Sequence, residues 1–77
     1  MIPCIRITGL RAGATDAAVT GVLQNYTGMT YPEIKRLLAR VRAGEAVEVE
    51  LDDEYAAYDL AGLLADLRVV AHVEESF

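Results

Sequence analysis

The 77 residues contain one cysteine, one histidine and only seven basic side chains, and no apolar run approaches the length of a membrane span. Each of these shortages narrows the range of functions. Cys4 alone cannot close an intrachain disulfide, and without a Cys/His cluster the sequence carries no signature of a metal centre. A lone His72 leaves acid–base catalysis without the partner, pocket and nucleophile that it needs. The expectation is a protein that is not an enzyme, with no catalytic set, no cofactor and no metal.

The balance of 7 basic against 12 acidic residues, a net charge of −5, opposes nucleic-acid binding, because affinity for a phosphate backbone rests on Lys and Arg. Lys35, Arg36, Arg40 and Arg42 do cluster, but they flank the apolar face of a helix and read first as a solvated surface. An RNA-binding module built on them is the third option, and it requires strongly salt-dependent binding. A bilayer span needs roughly 20 apolar residues, and the N-terminal segment Met1 to Arg6 has no basic stretch followed by a long apolar one. A soluble, acidic, cytoplasmic chain with no membrane role is expected. Repeats, linkers and low-complexity segments are also missing, so residues 1–77 form one domain.

What the chain has is apolar residues, 53% of the total. A domain of this size buries only about 60% of its unfolded surface. The surplus either fills the core tightly or reserves apolar surface for a partner or a second copy. Residues 2–8 alternate as a half-buried strand, Ile5 and Ile7 on one side and Cys4, Arg6 and Thr8 on the other. A turn over residues 8–13 follows. A first helix spans Asp16 to Thr27 with Thr15 as N-cap and a buried stripe of Val19, Val22, Leu23 and Tyr26, and Gly28 ends it. Thr30-Tyr31-Pro32-Glu33 is a capping box with Met29 and Ile34 as its hydrophobic staple. It opens a second helix that buries Ile34, Leu37, Leu38 and Val41 and closes at Gly44.

Residues 46–51 alternate strictly as a second strand. Asp53 then caps a third helix whose stripe is Ala56, Leu60, Leu63, Leu64 and Leu67, with Gly62 inside it at a cost of up to about 1 kcal/mol unless a neighbour needs the room. A last strand runs from Val69 to Glu74. The order β-α-α-β-α-β is that of an α/β chain folded as an α+β two-layer sandwich. Strand 1 lies central and antiparallel to both neighbours, three helices cover one face, and the other face is bare.

This order, together with Thr27-Gly28-Met29-Thr30-Tyr31-Pro32-Glu33-Ile34-Lys35-Arg36-Leu37-Leu38, resembles the C-terminal domain of ribosomal protein L7/L12, a ClpS-like fold. The family's run is Thr-Gly-Leu-Gly-Leu-Lys-Glu-Ala-Lys-Asp-Leu-Val. Thr27, Gly28, Glu33, Lys35 and Leu37 match it, and the similarity continues through Gly44, the acidic start of helix 3, Leu60, Leu64 and the last strand. In that family, basic and apolar residues of the first helix and the following turn recruit translational GTPases. Here Asp16 and Gly21 stand for lysines, Gln24 for an arginine and Thr20 for an isoleucine, while Met29 resembles the turn leucine. Losing those charges removes the steering towards the same partner. The 77 residues hold no counterpart of the family's N-terminal dimerisation segment or hinge. The resemblance therefore implies the fold and an adaptor-like role, without the ribosomal stalk function. The ClpS adaptor, a second relative in fold, has an acidic stretch before helix 1 and a histidine near the end of helix 2. Arg11 to Thr15 and Arg42 stand there instead, and Arg42 would repel an α-ammonium group.

Two surfaces remain as candidates. The first is the outer side of helices 1 and 2, where Asp16, Ala17, Thr20, Gly21, Gln24, Met29, Pro32 and Glu33 make a flat, weakly charged patch for another protein or for a homodimer. Tyr55 and Tyr58 on helix 3 form a secondary interface, since exposed tyrosines often anchor contacts. The second is the bare sheet face, where Cys4 and His72 could serve a small ligand-binding or enzymatic protein. The same face carries Arg6 among Glu48, Glu50 and Glu74, a cross-strand charge ladder.

Overall fold

The computed structural model describes residues 2–74. In chain order the elements are β1 (Cys4–Leu10), α1 (Asp16–Thr27), α2 (Tyr31–Arg42), β2 (Val47–Glu50), α3 (Glu54–Asp66) and β3 (Val69–Glu74). The sheet order is β2-β1-β3, and β1 is antiparallel to both neighbours. This is the expected α+β arrangement with strand 1 central. Ile5 and Ile7 are fully buried and Val47 and Val49 on β2 are buried, while Arg6, Thr8, Glu48, Glu50 and His72 face outward. Alternation of this kind leaves one sheet face on the core and one in water. No helix is long and apolar enough to cross a membrane among the described residues.

Local signals account for the helix ends. Thr30 Oγ1 accepts the Glu33 N–H, and the Glu33 carboxylate accepts the Thr30 N–H at 3.2 Å, so the capping box is closed. The Thr30 hydroxyl and amide hold the Glu33 carboxyl below its usual range. Asp53 accepts the Ala56 N–H at 2.8 Å and starts α3. Gly28 takes the left-handed conformation with φ of 69° after α1, where glycine carries no Cβ penalty. Thr15 occupies the N-cap position of α1 in an extended conformation, but its side chain makes no capping bond.

Packing departs from the sequence pattern in three places. In α1 the buried residues are Val19, Thr20 and Leu23, whereas Val22 and Tyr26 are only partly covered. The helix packs on both α2 and α3, so its buried stripe widens towards α2 and takes in Thr20. In α3 the buried residues are Ala57, Leu60 and Leu64, while Leu63 is 39% exposed. Gly62 has no atom within 4 Å of a Cβ placed on it, so no neighbour requires the glycine. Finally, β1 runs two residues further than the alternation indicated. A register shift between Ile7 and Gly9 lets the strand absorb an extra residue and continue pairing, Gly9 with Val70 and Leu10 with Val69. Bulges do this by leaving one residue unpaired and bending the strand.

The turn from α3 into β3 is made by Arg68, a non-glycine residue with φ of 66°. Its carbonyl accepts the Arg11 N–H at 2.8 Å, and its side-chain stem lies against Gly13. Left-handed backbone costs an ordinary residue roughly 1–2 kcal/mol. Glycine removes that strain but loses about 0.5–1 kcal/mol through its greater freedom in the unfolded chain. Arg68→Gly is therefore expected to stabilise the protein by about 0.5 kcal/mol, read as a small upward shift of the urea midpoint. A downward shift would mean that the stem's packing on Gly13 outweighs the backbone strain.

Candidate functional site

The start of α1 and the end of α2 are joined by charge. Arg42 Nη1 donates to Asp16 Oδ2 at 2.9 Å, and Nη2 donates to the other carboxylate oxygen. These hydrogen bonds hold the Asp16 carboxyl below its usual range and push the Arg42 guanidinium further up. Beside this pair, Ala17, Gly21 and Gln24 are exposed at successive turns of α1. They line a recess of about 470 Å³ whose far wall is Tyr31 and Lys35 of α2. Lys35 Nζ stands 5.5 Å from the centroid of the Tyr31 ring, within cation–π range. Tyr31 and Lys35 were missed in the sequence, although their spacing of four on one helix is the signal that pairs them.

The eight residues of the expected patch are not one surface. Asp16, Ala17, Gly21 and Gln24 share the recess. Thr20 contributes to its floor but is only 6% exposed. Met29 is half-buried against the core, and Met29 and Glu33 line a different cleft, between α2 and β2. Pro32 is exposed in the first turn of α2. On the opposite helix, Tyr55 is 85% and Tyr58 57% exposed. Tyr58 borders a shallow depression with Tyr26, Leu63 and two aspartates, Asp59 and Asp66.

The basic cluster is dispersed by its partners. Arg42 is engaged by Asp16, Arg40 approaches Glu45 at 3.6 Å, and Lys35 lies over Tyr31. Three of the four cations are thus already turned towards groups of this chain.

On the bare sheet face the register sets Cys4 between Glu50 and Glu74, and Arg6 between Glu48 and His72. Arg6 Nη1 reaches Glu74 Oε1 at 3.3 Å, a diagonal pair. Cys4 and His72 do share the face, on neighbouring strands and offset by two positions. The thiol donates to the Glu74 carbonyl at 3.6 Å. Burial pushes its pKa up, and the charges of Glu48, Glu74 and Glu50 push it further. A nucleophilic cysteine needs the reverse, a cationic setting that favours the thiolate. One grouping on this face was not foreseen: the ligand atoms of Cys4, Glu48 and Glu74 lie within 4.8 Å of one another. They offer one sulfur and two carboxylates, but Arg6 already engages Glu74, and a structural zinc site is completed by four ligands.

Comparison of the chain with protein-family models, with curated proteins and with solved structures finds no match.

Proposed function

We propose that this chain is a protein-interaction module of the L7/L12 C-terminal type, docking on another protein or on a second copy of itself through the α1–α2 recess. The L7/L12 likeness rests on the Thr27–Leu38 segment and the element order. The observation that carries the docking reading is the recess itself. Small, uncharged Ala17 and Gly21 leave room between the two helices, and the Asp16–Arg42 pair closes one end. Tyr31, 53% exposed, supplies an amphipathic anchor at its wall, the residue type enriched where proteins meet.

Gly21→Lys tests the reading without touching the fold. A Cβ at this position meets nothing within 4 Å, and lysine is the better helix former by roughly 0.5–1 kcal/mol. The variant is expected to be at least as stable as the parent while its side chain fills the recess. Light scattering over a dilution series gives the mass of both proteins. If the parent is a dimer, Gly21→Lys should return it to a monomer. If the parent is a monomer, cross-linking through Lys35 in lysate should give adducts that the variant loses and that an Ala65→Lys control, at an exposed position of α3, retains. Association unchanged by Gly21→Lys would overturn the assignment of this surface.

The sheet-face reading has less behind it, because burial and the neighbouring carboxylates push the Cys4 thiol's pKa up, away from the thiolate a nucleophile needs.

A further inference from the structure

Among the described residues, strand β2 is an outer strand of the sheet, paired with β1 on one side only. Leu51 N–H donates to the Pro3 carbonyl at 2.9 Å, and residues bonding inward recur at every second position of an antiparallel ladder. Val49 and Val47 thus bond towards β1, and the main-chain N–H and C=O groups of Glu48 and Glu50 point outward along the edge. An unpaired row of this kind is a template for a further strand. Beside it runs a cleft of about 630 Å³ under α2, with Met29, Leu37, Arg36 and Arg40 on the helix side.

The chemistry of an added strand follows from the alternation of side chains. On the open face its residues would stand next to Glu48 and Glu50, both exposed carboxylates. On the other face they would enter the cleft beside Met29 and Leu37. Opposite charges on neighbouring strands attract and like charges repel. A second copy pairing antiparallel through β2 would set Glu48 and Glu50 against the same two acids, so this edge is guarded against self-association. From this we infer that the β2 edge accepts an extended segment of another protein carrying Lys or Arg at alternate positions and apolar residues between them, by strand addition. This edge lies away from the α1–α2 recess and the inference is independent of that reading.

A fluorescent capped peptide of four Lys-Val repeats is the probe, followed by anisotropy at low salt, with amide hydrogen exchange on the whole protein. Saturable binding with slowed exchange at the Glu48 and Glu50 amides is expected. The double variant Glu48→Lys/Glu50→Lys should weaken binding by about tenfold and bind a Glu-Val repeat in its place. The Lys-Val peptide N-methylated at the amides that would face β2 should not bind. Failure of the Lys-Val peptide to bind the parent would overturn the inference. Equal binding of the N-methylated peptide would also do so, since it would reveal charge adsorption without a ladder. So would Glu48 and Glu50 amides already protected in the protein alone at high concentration, which would place a second copy on the edge.

Discussion

Leu60→Ala is expected to remove about 3 kcal/mol of stability, within a range of roughly 2–5 kcal/mol for a buried leucine cut back to alanine. Leu60 is fully buried near the middle of α3, in the same core as Ile5, Ile7, Leu23, Ile34, Leu38 and Leu64. The loss has two parts: the transfer free energy of the deleted methyl groups, and the cavity that a two-layer domain with helices fixed on a sheet can only partly close. At about 0.05–0.15 kcal/mol per residue, a chain of 77 residues has a total stability of roughly 4–11 kcal/mol. The substitution would thus remove a large fraction of it. Urea denaturation followed by circular dichroism should show a much lower midpoint with an unchanged slope. Leu63→Ala, at a position 39% exposed, should move the midpoint far less. Equal shifts for the two would contradict the orientation of α3.

Thr20→Glu is expected to cost on the order of 3–5 kcal/mol, comparable to leaving a buried charge without its partner. Thr20 is 6% exposed, and the cations nearest it already have partners: Arg42 is engaged by Asp16, and Lys35, on the wall of the same recess, lies over the Tyr31 ring. Asp16 itself stands one turn before Thr20 on the same helix, so a second carboxylate would also meet like charge. Both effects raise the new carboxyl's folded-state pKa above its unfolded value of about 4.3. The sign follows from linkage: the folded state tolerates the protonated form, so the deficit is small below the unfolded pKa and grows as the pH rises through the folded one. Urea midpoints at pH 7 and near pH 4 should therefore differ for Thr20→Glu more than for the parent. A variant as stable as the parent at pH 7 would place Thr20 on the surface. The neighbouring Gly21→Lys is expected to fold normally, and the contrast locates the boundary between core and docking recess at one residue.

Much of the fold could be read along the chain because its signals are local. Ile5 and Ile7 alternate with Arg6 and Thr8, and Val47 and Val49 with Glu48 and Glu50, since successive side chains of a strand point to opposite faces whatever surrounds them. The Thr30–Glu33 box and Gly28 act within one turn of backbone. Two helices in one connection and one in the other then fix the strand directions, and the shared apolar face puts strand 1 in the centre.

Tertiary structure alone decided which surfaces these elements share. The helical period of α1 admits Val22 or Thr20 as the flank of its stripe. Its seat on both α2 and α3 chose Thr20 and sank it to the floor of the recess. The same kind of choice turned Leu63 out to solvent. Asp16 meets Arg42 across 26 positions, and Cys4 meets Glu74 across 70. Helix crossing and strand register set these distances, and neither is a property of a residue's own neighbours in the chain. The expected patch divided for this reason: Gly21 and Gln24 face the recess with Tyr31 and Lys35, while Met29 and Glu33 turn to the β2 edge. The composition determined a small acidic domain with apolar residues to spare, and only the packing of helices on the sheet determined where the unfilled surface lies.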